Sequence, residues 1–141
     1  MYYCHMYSFE TKLRVRYAET DQMQFVYYGV YSQYFEVGRV ELLRSLGISY
    51  KELELMGYAL PVVNMSINYK KPALYDDLLT IRTVIKELPT TKIKFEYEIF
   101  NMKDDLLTIG EVILVFMNRI TNKPCYVPEK IIAKFKQKWI N

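Results

Sequence analysis

An α+β fold, with a curved antiparallel sheet wrapped around one long central helix, is predicted by three features of this 141-residue chain. One helical stretch is long, aromatic and poor in charge, four long alternating segments follow it, and the connectors between those segments are short. At 51% hydrophobic and 25% charged residues the chain has the mix of one ordinary domain. That length suffices to bury roughly two-thirds of the unfolded surface. Residues 1–8 read as an N-terminal tail and 9–141 as a single domain, with no internal repeat, low-complexity segment or boundary.

Along the chain, Phe9 to Tyr17 alternates, with Leu13, Val15 and Tyr17 on one face and Lys12, Arg14 and Arg16 on the other, the period of a half-buried strand. It runs out into an acidic corner, Tyr17-Ala18-Glu19-Thr20-Asp21. Apolar residues then recur at Tyr27, Tyr31, Tyr34 or Phe35, Gly38, Leu42 and Leu46, a helical spacing stopped by Gly47 in the usual C-terminal place. The charges Glu36, Arg39, Glu41 and Arg44 are too few to wet a wide face, so the sheet is expected to cover much of this helix. A short helix from about Tyr50 to Met56, closed by Gly57, follows. Leu60 to Tyr69, Leu78 to Leu88, Lys92 to Met102 and Leu106 to Arg119 read as strands rich in Val, Ile, Thr and aromatics. The third is the cleanest, with Ile93, Phe95, Tyr97 and Ile99 opposing Lys92, Lys94, Glu96 and Glu98. Short turns between strands favour an antiparallel meander. Pro128 opens a final helix with Ile131, Ile132, Phe135 and Trp139 on its apolar side. Long edge strands invite pairing with a second copy, so a homodimer or a pair of dimers (a homotetramer) is expected.

Composition and motifs narrow the function. The net charge of +3 is small and its Lys and Arg are scattered, which argues against a nucleic-acid partner. The longest apolar run, Val112 to Met117, is far too short to span a bilayer, which takes about 20 helical residues. The N-terminus lacks a basic start and an apolar signal core, so a cytoplasmic protein with Cys4 and Cys125 as free thiols is expected. The sole histidine, His5, falls in the expected tail, leaving a His-assisted Ser or Cys nucleophile almost no material. One His and two distant Cys do not make a zinc site, and the scattered glycines do not make a nucleotide cradle, so no metal and no cofactor are expected.

Carboxylates and backbone amides remain. Asp21, placed just before a helix, can attack an acyl carbon or activate a water, while amides at the helix start receive the negative charge on oxygen. Activated acyl groups such as thioesters suit that pair. The alternative for Asp21 is a helix cap or turn residue; for Glu19 it is a solvated loop charge. Tyr28 would contribute its main-chain amide. Tyr17 either orients Asp21 through its hydroxyl or buries its ring as a strand residue. Of Phe25, Tyr27, Tyr28, Tyr31, Tyr34 and Phe35, most are expected in the core, and the rest line an acyl pocket. Lys70, Lys71, Lys86, Lys92 and Lys123 lie at strand ends or turns, where they can collect phosphates or simply meet solvent.

The run Arg14-Val15-Arg16-Tyr17-Ala18-Glu19-Thr20-Asp21-Gln22-Met23, with Val26-Tyr27-Tyr28 and Tyr34-Phe35-Glu36, resembles the hot-dog-fold acyl-CoA thioesterases of the 4-hydroxybenzoyl-CoA thioesterase family, YbgC-like branch. Further matches are Ser45-Leu46-Gly47, Tyr69-Lys70-Lys71-Pro72-Ala73 with Asp76-Asp77, and Lys123-Pro124 with Pro128. The resemblance implies the hot-dog fold, subunit-interface active sites, an acyl-CoA substrate (or acyl carrier protein as thiol carrier), and no metal or redox cofactor. It places the catalytic aspartate at Asp21, an oxyanion-binding amide at Tyr28 and a tyrosine near the site at Tyr17. Gln24, Val26, Tyr27, Lys70, Lys71 and Lys92 are the candidate substrate contacts. Many relatives carry glycine at the position of Gln24, histidine at Tyr28 and asparagine at Val30. The alternative to an enzyme is a non-catalytic hot-dog protein that binds acyl-CoA or acyl carrier protein, with Gln24 as its motive.

Overall fold

The computed structural model describes residues 6–139. Strand β1 (Tyr7–Arg14) alternates half-buried and exposed positions, and pairs antiparallel with β4 (Leu78–Ile85) from Tyr7 opposite Ile85 to Arg14 opposite Leu78. It starts two residues before the expected Phe9 and ends before Tyr17. The remainder of the expected tail, with Cys4 and His5, lies outside the described residues. Cys125 is a free thiol.

Helix α1 (Tyr31–Ser45) is preceded by a single 3₁₀ turn at Tyr28–Val30, so the α-helix proper opens four residues after the expected Tyr27. Tyr31, Tyr34, Phe35, Gly38, Leu42 and Leu43 are buried along it, and Gly47 at φ +80 turns the chain out of the helix in the left-handed conformation that glycine adopts without strain. Arg39, expected to help wet the helix, is buried instead and donates from Nε to the Tyr50 hydroxyl at 3.2 Å. Helix α2 (Tyr50–Leu55) is capped by the Ser49 side chain, which accepts from the Glu52 amide.

The main sheet holds β3 (Val62–Tyr69), β5 (Lys92–Phe100) and β6 (Leu106–Val115) besides β1 and β4, in the order β1-β4-β5-β6-β3. Short strands β2 (Tyr58–Ala59), β7 (Met117–Asn118) and β8 (Lys123–Pro124) form a second small sheet, so the expected strand to Arg119 breaks at Phe116. The meander holds for β4, β5 and β6, but β3 sits beyond β6 at the far edge. Its connector to β4, residues 70–77, must therefore cross three strand spacings, about 14 Å, along one end of the sheet. That crossing builds the floor of the site.

The core forms between the inner face of the sheet and α1. Ile93, Phe95, Tyr97 and Ile99 of β5 are all buried, as their alternation predicted, and Phe35 of α1 stacks on Tyr97 with ring centroids 4.3 Å apart. Gly110 lies under the Phe35 ring, and a Cβ there would run into it. Helix α3 (Glu129–Trp139) buries Ile131 and Phe135 and leaves Ile132 and Trp139 packed at the core's margin. No helix among the described residues is long and apolar enough to cross a membrane.

Candidate active site

Three segments meet at the end of the sheet where β3 finishes. Residues 19–27 form a small hairpin: the Tyr27 amide donates to the Glu19 carbonyl at 2.9 Å, Thr20 bridges Val26, and the Asp21 amide donates to the Phe25 carbonyl at 2.8 Å. The crossing connector docks on the second arm, with the Val26 amide on the Ala73 carbonyl and the Tyr75 amide on the Gln24 carbonyl. The same connector is tied to the sheet by the Lys70 and Lys71 amides, which both donate to the Leu107 carbonyl at 2.8 and 3.1 Å. The third segment is the 3₁₀ turn leading into α1.

Asp21 stands at the hairpin tip, seven residues before that turn rather than directly on a helix start. Its Oδ1 accepts from the Met23 and Phe25 amides at 2.9 and 3.2 Å, the bonding of a turn residue. Its Oδ2 accepts no hydrogen bond among the described residues. One oxygen thus fixes the carboxylate while the other stays available. Gln24 holds φ +65, a left-handed turn conformation that glycine takes at lower cost.

The expected residues divide into two groups. Asp21, Val26, Tyr28, Lys70 and Lys71 line one cavity of about 390 Å³, together with Phe25, Tyr31, Tyr69 and Pro72. Tyr17, Gln24 and Asp21 line a neighbouring, outer cavity of about 480 Å³ with Thr20 and Gln22. Asp21 stands on the wall between them. Tyr27 lies half out of the fold against the Tyr28 ring, centroids 4.5 Å apart. Lys92 opens β5, opposite Val115, and so lies eight residues of strand, about 26 Å, from the end where the cavity opens.

Tyr17 does neither of the two things expected of it. Its ring is 74% exposed, set edge-on against Tyr75, and its hydroxyl makes no bond to Asp21 among the described residues. The 3₁₀ turn at Tyr17–Glu19 ends the alternation that would have carried the ring inward. Glu19, expected to be solvated, is buried at 8% exposure. Its Oε1 accepts from the Arg16 amide and the Tyr34 hydroxyl, both at 2.9 Å, and its Oε2 from Nε and Nη2 of Arg16 at 3.2 and 2.9 Å. Burial by itself would raise this carboxyl, but the Arg16 amide, the guanidinium and the Tyr34 hydroxyl outweigh it and hold Glu19 below the usual carboxylate range. Burial and the bond to Glu19 push the Tyr34 hydroxyl well above the ordinary phenol value.

The Tyr28 side chain is exposed at 65%. The amides of Tyr28 and Gly29 open the 3₁₀ turn and donate to nothing among the described residues, since the first bond inside it runs from the Val30 amide to the Tyr27 carbonyl. The Tyr28 carbonyl accepts from the Tyr69 hydroxyl at 3.2 Å, which ties β3 to the helix entry. Phe25 and Tyr31, two of the aromatics from which pocket residues were expected, line the cavity; Tyr69 and Pro72 were not anticipated there, although both lie in the matched run with Lys70 and Lys71. No group of three or more metal-ligating side chains occurs among the described residues.

A carboxylate oxygen without a hydrogen bond among the described residues and two lysines stand around one cleft of this hot-dog fold. The thioesterase superfamily model matches residues 23–108, starting just after Asp21, and the chain belongs to that family; by class it is a thioester hydrolase. It is 35% identical over 129 residues to the acyl-CoA thioester hydrolase YbgC of Escherichia coli, covering 92% of this chain and 96% of that one. It is 40% identical over 96 residues to the putative acyl-CoA thioesterase YneP of Bacillus subtilis, covering 68% and 70%. Among solved structures, the DHNA-CoA thioesterase of Staphylococcus aureus superposes with a TM-score of 0.87 at 32% identity, over 93% of this chain and 89% of that one.

Proposed function

We propose that this protein hydrolyses acyl-CoA to a free acid and CoA, with Asp21 as the reacting carboxylate and the Tyr28 and Gly29 amides as donors to the oxyanion. The observation that carries the reading is the Asp21 carboxylate, pinned through Oδ1 and open at Oδ2, on the cavity that Tyr28 also lines. As nucleophile, the oxygen adds to the thioester carbonyl, the C–S bond breaks with loss of thiolate, and water cleaves the resulting anhydride. As general base, it takes a proton from the water that attacks. In both routes charge gathers on the carbonyl oxygen, and helix-start amides that need no reorganisation stabilise it. Thiolate leaves without a strong acid, which fits a cleft whose ionisable side chains are one carboxylate, two lysines and tyrosines.

Lys70 and Lys71, on the rim, suit the phosphates of CoA. A homodimer formed along β3 fits the same site. That edge strand is exposed at nearly every position, with Val62, Val63, Met65 and Tyr69 between 46% and 53% exposed. Antiparallel pairing of two copies sets the Lys70 end of one strand against the Val62 end of the other, and only across such an interface does Lys92 approach the site. We place the enzyme in the cytoplasm.

A thiol-release assay across short, long and aromatic acyl-CoAs tests the activity. Saturable turnover with at least one substrate is expected. Saturable binding with no free CoA above the blank across the whole panel would replace the enzyme with a binding protein.

A further inference from the structure

Glu19 takes no part in the chemistry above, yet it is where the hairpin and the helix are joined. Its side chain accepts from the Tyr34 hydroxyl, one turn into α1, at 2.9 Å. Its carbonyl accepts from the Tyr27 amide, immediately before the turn that presents the unpaired amides, at 2.9 Å. Arg16 closes the other carboxylate oxygen from the solvent side, its own side chain 76% exposed while that of Glu19 is 10% exposed. Asp21 follows two residues later on the same arm. The Tyr34 ring is 2% exposed in a packed core, so it offers the hairpin a fixed reference.

We propose that Glu19 is a positioning residue of the reaction: clamped by Arg16 and Tyr34, it sets the separation between the Asp21 carboxylate and the Tyr28 and Gly29 amides. The inference rests on Asp21 being the reacting group. Nucleophile and oxyanion donors sit on different segments, and Glu19, on the arm that carries Asp21, is bonded twice to the other, by side chain to the helix body and by carbonyl to the helix entry. Misplacement of about 1 Å between reacting groups costs on the order of a hundredfold in rate. The Lys70 and Lys71 amides are anchored on the Leu107 carbonyl rather than on Glu19, so substrate affinity is expected to change little when the clamp is altered.

Steady-state kinetics of Glu19→Gln, Tyr34→Phe, Asp21→Asn and the Asp21→Asn/Glu19→Gln double variant test this, each well below its own Tm and per folded molecule. Glu19→Gln is expected to lower kcat about thirtyfold and Tyr34→Phe about tenfold, with KM within about twofold of wild type. The double variant should lie within about twofold of Asp21→Asn, because Glu19 acts through Asp21, whereas general loosening would lower both backgrounds by the same factor. Should Glu19→Gln fail to fold, Tyr34→Phe, which keeps its ring, decides. Wild-type kcat in Glu19→Gln and Tyr34→Phe alongside an inactive Asp21→Asn overturns the positioning role and leaves the functional reading standing. Wild-type kcat in Asp21→Asn overturns the functional reading first.

Discussion

The hairpin tip and the sheet interior are held in place by different forces. In the core Phe95, Ile81 and Leu114 are fully buried, and order comes from close packing. Around Asp21 most side chains are exposed, and order comes from backbone hydrogen bonds, a carboxylate that caps its own turn and, at the base, an ion pair whose carboxylate is buried and whose guanidinium is exposed. The contrast predicts that core and hairpin substitutions act on different properties. On the proposed function the reacting group stands where water and substrate reach it, on a loop that packing alone does not fix.

Substitutions on each side of that division should show it, in descending order of effect. Phe95→Ala is expected to cost about 3–5 kcal/mol of unfolding free energy, while kcat per folded molecule stays within about twofold. Denaturant unfolding and a folded-fraction-corrected assay check both halves, and a matching fall in kcat would erase the distinction. On the other side, Lys70→Glu with Lys71→Glu should raise KM for acyl-CoA about tenfold, about 1.4 kcal/mol, and leave Tm almost unmoved. The rise should shrink for a thioester of a small neutral thiol. Gln24→Gly should gain roughly 0.5–1 kcal/mol by relieving the left-handed backbone, read as a modest increase in Tm.

Acid sharpens the comparison further. The Glu19 carboxyl is held below its unfolded value, so its stabilising contribution is complete above the ordinary carboxylate range and is lost as pH falls through that range and below it. The Tm difference between wild type and Glu19→Gln should therefore be full at neutral pH and vanish in strong acid. A difference independent of pH would mean that the charge of Glu19 does not stabilise the fold.

Local patterns made the regular elements legible. The alternation of β5 and the three-or-four spacing of α1 each follow from the neighbours in sequence that share a face, and both held. Positions set by distant partners were not legible. Glu19 is buried because Tyr34, fifteen residues on, reaches it, and Arg39 because Tyr50 does. The placing of β3 beyond β6 depends on which edge is left after β4 pairs with β1, a choice that no local spacing records. At the cavity, the acidic corner and the helix that follows were enough to expect Asp21 and Tyr28 near one another, and both line it. Tyr17 misled because its strand ends in a 3₁₀ turn, and Tyr69 entered the cavity from a segment far from Asp21 in sequence.

The reacting role of Asp21 is tested most directly by comparing CoA release by Asp21→Asn and wild type on the best acyl-CoA of the panel, with folding matched by circular dichroism. Loss of this group should lower kcat at least about a hundredfold while Tm and CoA affinity are retained. A folded Asp21→Asn protein that releases CoA at the wild-type rate would contradict it.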